Sequence, residues 1–176
     1  MQKRVLAPVP VLIETEAGEI EVLLEPAKTP ITCENFLRYV QEGAYDGGRF
    51  HRTVKPDNQP DNDVKIEVVQ AGPRPGAKLH PPIPLERTLQ SKLTHKDGAI
   101  SMARTTPDSA AADFFICIGD QPSLDYTGAR NPDGQGFAAF GRVTRGMDVV
   151  KRIQLSPCEA QRLTPPVTIR RIRRND

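Results

Sequence analysis

Charge of one sign is scarce in this chain of 176 residues: 24 lysines and arginines stand against 22 acidic residues, a net charge of +2. No global field steers such a protein toward nucleic acid or a membrane surface. The one local excess, Arg170, Arg171, Arg173 and Arg174, reads as the solvated face of a last strand and its tail. Long apolar runs are missing too. The start, Met1 to Pro10, is broken by Pro8 and Pro10 and is too short for the core of a secretory signal or for a bilayer span. There are only three cysteines, Cys33, Cys117 and Cys158, without C-x-x-C or Cys/His spacing, which excludes a zinc site and a full disulfide framework. Cys33 and Cys117 fall on apolar faces and read as free core thiols. Nucleophile elbow, phosphate loop and dinucleotide fingerprint are all absent. Asp57, Asp61 and Asp63 lack the ligand positions, central glycine and terminal glutamate of a calcium loop. No metal and no cofactor are expected.

What the chain does have is turn formers, 17 prolines and 13 glycines with 38% hydrophobic residues. That composition favours many short elements over a helical bundle. The length fits one core, so residues 1–176 are expected to form a single domain. Val9 to Thr15 and Ile20 to Leu24 read as a hairpin through Glu16-Ala17-Gly18-Glu19. The clearest helix follows, with Thr29 as N-cap, Pro30 in the first turn, Cys33, Phe36, Leu37 and Val40 at helical spacing and Gly43 as the stop. Further strands are predicted over Arg49 to Val54, Val64 to Gln70, Ala99 to Ala103, Asp113 to Ile118, Phe137 to Val143 and Val167 to Ile172. A short second helix is predicted over Arg145 to Ile153. Lys55 to Asp63 and Gly128 to Gly136 are loops, and the proline-rich stretch Ala71 to Pro84 reads as irregular and extended. No internal repeat is visible.

Six short motifs lie along this framework in fixed order: Phe50-His51-Arg52, Gln70, Ser101-Met102-Ala103-Arg104, Phe114-Phe115-Ile116, Leu124-Asp125 and Phe140-Gly141. The last precedes Arg145-Gly146-Met147-Asp148-Val149-Val150. Read singly, each is ordinary: Arg52 an exposed strand arginine in an ion pair, Phe115 plain barrel core. In this order, from about Val11 to Ile172, they resemble the cyclophilin family of peptidyl-prolyl cis/trans isomerases, and most of all its bacterial members. The resemblance implies a mainly β fold: a closed eight-stranded antiparallel barrel with a helix over each open end. It also implies an enzyme that accelerates rotation about X-Pro peptide bonds and assists protein folding.

The chemistry asks little of the protein. Amide rotation is opposed by roughly 18–20 kcal/mol because the nitrogen lone pair is conjugated with the carbonyl. A catalyst must hold the proline ring, weaken that conjugation and stabilise the twisted amide. The resemblance makes Arg52 the catalytic donor to the prolyl nitrogen, and arginine suits this role because its guanidinium stays charged and presents rigid donors. By the same resemblance Phe115 is the floor of the proline pocket, Leu124 and Val68 are its walls, and Gln70, Ala103, Arg104 and Phe137 contact the peptide. Strand alternation sends Phe114 to the opposite side of the sheet from Phe115. It also sends His51 away from Arg52, and since the reaction moves no proton His51 is expected to be structural. Met102 is assigned to the core; His80 and His95 have no partner spacing.

The chain departs from the family at the rim. Glu67 and Val68 replace the usual phenylalanine and methionine, Asp113 a glutamine, Ser123 an aromatic before Leu124, and Phe137 a histidine or another aromatic. Weak binding of cyclosporin-type macrocycles is therefore expected. The 55–63 and 128–135 loops are longer than in the plain pattern and are expected beside the groove, where they would set which partners are accepted. Partners are expected to be proline-containing peptides or unfolded proteins, with no nucleic acid and no membrane insertion, and the protein is expected to be a monomer. A soluble protein is expected, cytoplasmic on the sequence as given and periplasmic if a leader precedes it. Two rivals stand beside the isomerase: a proline-segment binding module or chaperone with weak or no turnover, and a barrel carrying a ligand inside, against which the bulky apolar interior positions argue.

Overall fold

In the computed structural model, which describes residues 6–176, the chain runs through nine strands and three short helices. Residues 1–5, the first half of the proline-broken start, lie outside the described part. β1 (Val9–Thr15) and β2 (Gly18–Leu24) form the predicted hairpin, with Val9 opposite Leu24 and Thr15 opposite Gly18. The turn is tighter than expected, because the Thr15 hydroxyl donates to the Gly18 carbonyl at 2.7 Å and leaves only Glu16 and Ala17 between the strands.

The remaining strands are β3 (Arg49–Val54), β4 (Val68–Gly72), β5 (Ala99–Met102), β6 (Phe114–Cys117), β7 (Ala139–Arg145), β8 (Cys158–Glu159) and β9 (Arg162–Arg174). Their order is β1-β2-β7-β5-β6-β4-β3-β9, and β9 returns to β1. Every pair is antiparallel, so the sheet closes into the expected eight-stranded barrel, with two-residue β8 as an arm on β9. Closure gives every main strand two neighbours and removes the edges at which other chains add.

Several strand boundaries shift by a residue or two, β7 among them, and two differ by more. β4 begins at Val68 rather than Val64, because Ile66 pairs with a side chain instead of a strand. Its N–H donates to Gln59 Oε1 at 3.1 Å and its carbonyl accepts from Gln59 Nε2 at 2.8 Å. β9 is far longer than Val167 to Ile172, since it bridges β3 on one side and β1 on the other.

α1 (Pro30–Gln41) buries Cys33, Phe36, Tyr39 and Val40, while Leu37 is only half-buried. It ends as predicted: Gly43 takes φ +68°, and the N–H groups of Gly43 and Ala44 reach the carbonyls of Val40 and Tyr39. This is a Schellman closure. Its start differs, because the Thr29 hydroxyl bonds back to the Glu25 carbonyl and caps nothing. Glu86 takes that role from 54 residues away, accepting from the Thr32 N–H and hydroxyl, both at 2.6 Å. A carboxylate there also faces the positive end of the helix.

α3 (Met147–Gln154) is the short second helix that was expected; the single-turn α2 (Thr88–Ser91) and the 3-10 turn at Pro122–Leu124 were not foreseen. α1 leaves the Leu24 end of β2, whereas Val149 of α3 lies against Gly18 at its other end, so the two helices sit over opposite mouths of the barrel. Among the described residues no helix is long and apolar enough to cross a membrane.

The interior is filled. Phe36 stands 5.3 Å from the Tyr45 ring, 5.5 Å from Phe114 and 5.3 Å from Phe140, and Phe50 and Met102 complete the packing. Among the described residues these side chains occupy the interior that a carried ligand would need. A second, smaller apolar cluster of Val54, Ile66, Val68, Phe115, Cys117 and Leu124 lies on the outer face of the sheet. Phe114 and Phe115 thus serve the two clusters separately, as alternation requires.

Candidate active site

One row of the sheet builds the site. Arg52 on β3 lies opposite Gln70 on β4, which lies opposite Phe115 on β6. Cross-strand partners point to the same face, so all three side chains emerge together from the outside of the barrel. They line a pocket of about 500 Å³ whose apolar wall is Ile66, Val68, Ala103, Phe115, Leu124 and Phe137. Phe137 meets Phe115 edge-on at 5.6 Å and 86°. Such a volume suits a ring and a few flanking backbone atoms.

Phe115 is backed from within the protein. His95, with its side chain fully buried, stacks on it at 6.0 Å and 13°. Its ring is fixed by Asp125 Oδ1 at 2.7 Å from Nδ1 and by the Ser101 hydroxyl at 2.9 Å from Nε2. Ser101 is itself wholly buried, so this serine, histidine and aspartate brace the pocket floor and face no substrate. Like His80, His95 carries no spacing signal in the sequence. Its partners come from β5 and from the residue after the 3-10 turn.

Arg52 is held by neutral acceptors. Its Nε and Nη2 donate to Gln161 Oε1 at 2.9 and 2.7 Å, and Nη1 donates to Gln70 Oε1 at 3.0 Å. Three of five N–H bonds are used, which fixes the plane and leaves two for a ligand. Among the described residues no carboxylate pairs with it, and burial pushes its pKa down from the ordinary arginine value. The group stays cationic in the neutral range, and its charge is not cancelled by a contact partner.

Behind Gln70 the network continues. Gln70 Nε2 donates to Asp113 Oδ2 at 3.0 Å, and His51 Nε2 meets the same oxygen at 3.0 Å. The expectation that His51 faces away from Arg52 is therefore wrong. β3 bulges between Phe50 and Arg52: Phe50 pairs with Ala71 and Arg52 with the adjacent Gln70, so His51 is the extra residue. A bulge breaks the alternation on which that expectation rested. His51 orders the Asp113 and Gln70 side of the groove.

The other predicted residues come together, with two qualifications. Arg104 reaches the pocket wall, but its buried guanidinium is occupied by Asp133, by the Gly136 carbonyl and by the Phe137 ring at 4.7 Å. It positions the segment that presents Phe137. Glu67 does not line the pocket: its carboxylate accepts from Gln154 Nε2 at 3.1 Å, and Ile66, unforeseen, supplies the wall beside Val68.

Gln161 and Arg130 were also missed. Both arrive on turns, where no periodicity marks a side chain. Gln161 Nε2 donates to the Asn58 carbonyl at 3.0 Å, tying Arg52 to the 55–63 loop. Arg130 donates from Nη1 to Gln59 Oε1 and to the Val64 carbonyl, both at 2.7 Å, joining the two long loops beside the pocket. Its loop folds back tightly at Gly128, where a Cβ would overlap the Ser123 carbonyl.

The whole chain bears comparison with known proteins. Residues 10–174 match the family described as cyclophilin type peptidyl-prolyl cis-trans isomerase/CLD. The chain is 38% identical over 144 residues to peptidyl-prolyl cis-trans isomerase cyp18 of Streptomyces antibioticus, covering 81% of each protein. It belongs to the cyclophilin family. Peptidyl-prolyl cis-trans isomerase B of Escherichia coli is 34% identical over 146 residues, 82% of this chain and 83% of that one. In structure, a crystallised cyclophilin type isomerase of Cryptosporidium parvum superposes with a TM-score of 0.76 at 19% identity, covering 97% of this chain and 99% of its own. This cyclophilin is accordingly a peptidyl-prolyl cis/trans isomerase, and the bacterial relatives agree with the motif reading.

Proposed function

We propose that this cyclophilin turns over X-Pro bonds in peptides and unfolded chains at the groove around Arg52, and so assists folding. The observation that carries the assignment is Arg52 itself, a partly buried cation restrained by two glutamine oxygens at the wall of an apolar pocket. A proline ring seats on Phe115 between Leu124 and Phe137. The two unused N–H bonds of Arg52 point their charge at the prolyl nitrogen, favouring the lone pair localised there over the conjugated amide. Gln70 and the small Ala103 meet the peptide backbone on either side. Every group acts through hydrogen bonding and field, so turnover needs no proton transfer and is expected to vary little with pH across the neutral range.

The protein acts as a monomer in this reading. Cyclosporin-type macrocycles bind weakly, since Ser123 offers no ring to cover them. The test is the cis-to-trans exchange rate of a short X-Pro peptide with the wild type and with Arg52→Ala. Removing one preorganised donor is expected to lower kcat/KM by about 10²–10³ while the circular dichroism spectrum stays unchanged. A folded variant retaining full turnover would remove Arg52 from the centre of the mechanism.

A further inference from the structure

The pocket holds a second guanidinium that none of the motifs contains. Arg130 lines the same cavity as Arg52. It spends Nη1 on two neutral oxygens, while Nε and Nη2 meet no acceptor among the described residues. Nor does it take part in any ion pair among the described residues. Burial, and after it the charge of Arg52, both push its pKa below the ordinary arginine value, which places the two cations within each other's field.

Among the described residues one carboxylate, Asp113, lines the pocket, and another, Asp133, lies against the lining residue Arg104; both are already engaged. Asp113 serves Gln70 and His51 on the far side of Gln70 from Arg52, and Asp133 clamps Arg104. One end of the groove thus carries two uncompensated positive charges fixed by neutral acceptors. A ligand that brings a negative charge there relieves their mutual repulsion, and the unused fork of Arg130 fits a carboxylate in two-point geometry.

We propose that Arg130 is a specificity residue that selects substrates carrying an acidic side chain next to the isomerising proline. The proposal rests on the assignment of the groove around Arg52 as the isomerase site. It also gives the 55–63 and 128–135 loops a joint role, since Gln59 and Val64 on one side and the turn at Gly128 on the other hold Arg130 at the mouth.

The experiment uses the full chain and matched X-Pro peptides with Glu, Gln or Lys at the positions flanking proline, assayed at low and high salt. At low salt, kcat/KM is expected to favour the Glu peptide over the Lys peptide about tenfold, equivalent to roughly 1.4 kcal/mol. The Gln peptide should fall between, and the ratio should shrink as salt screens the pair. Arg130→Gln is expected to bring the ratio close to one, whereas Arg130→Lys, which keeps the charge, should retain most of it. Should Arg130→Gln fail to fold, the salt dependence in wild type together with Arg130→Lys still decides. Equal rates for Glu and Lys peptides in wild type, or a preference unchanged in Arg130→Gln, would overturn the proposal. If not even the neutral Gln peptide is accelerated, the isomerase assignment of the groove falls and the proposal falls with it.

Discussion

At the residue scale, the site depends on what does not touch Arg52. In the proposed mechanism a carboxylate in its contact shell would hold the guanidinium more strongly but neutralise the charge meant for the prolyl nitrogen; the two glutamine oxygens hold it without that cost. Gln161 accepts two of the three hydrogen bonds, so it sets the plane. Gln161→Ala is expected to free the guanidinium to rotate and to lower kcat about ten- to a hundredfold with a much smaller change in KM, since misplacement by an ångström costs about that much. Gln161→Glu restores geometry but cancels charge and should be no better. Steady-state exchange kinetics separate the cases, and a Glu variant with wild-type kcat would show that orientation alone matters. Arg52, Gln70 and Phe115 were legible because strand motifs carry them in order. Gln161 was not, because the turn between β8 and β9 delivers it from 109 residues away.

At the element scale, what the sequence concealed was where a side chain or an extra residue replaces a regular partner. Alternation assigned Phe114 and Phe115 to opposite faces correctly, yet it failed at the first motif, where the bulge turns His51 back to the groove. The helix start failed similarly: Thr29 has the right chemistry for a cap, but Glu86 offers a charged acceptor to the same first turn. Apolar periodicity did locate the thiols. Burial pushes the Cys33 thiol up to about 11, and Cys117 further still, whereas Cys158 on β8 is partly exposed. Both buried thiols are therefore protonated and shielded in the mildly alkaline range, and a thiolate is the reactive form. Alkylation with iodoacetamide at about pH 8 should modify Cys158 alone, with Cys33 and Cys117 reacting only after denaturant is added. Peptide mass mapping reads the outcome, and native labelling of Cys117 would contradict the packing of β6. The raised values also set a sign: the unfolded chain loses these protons first, so stability falls as pH rises from the ordinary thiol value of 9.0 toward 11.

For the molecule as a whole, the sheet works as a wall between two apolar clusters, one filling the barrel and one lining the proposed groove. Barrel closure came from the family resemblance rather than from local pattern, since the pairing of β9 with β1 joins the two ends of the described chain. No window of sequence contains it. The division has a consequence that can be measured. Phe36 reaches three other aromatic rings inside the barrel and none of the groove. Phe36→Ala is therefore expected to cost about 3–5 kcal/mol in urea denaturation, the usual loss for truncating a fully buried phenylalanine. Below its lowered melting temperature the variant should keep Arg52, Gln161 and the face of Phe115 in place. Its kcat/KM per folded molecule should then stay within about threefold of wild type, because stability and site effects add independently when no partner is shared. A loss of turnover as large as that of Arg52→Ala, in protein that is still folded, would mean that the interior sets the groove's shape through Phe114 and that the wall transmits packing strain to Phe115.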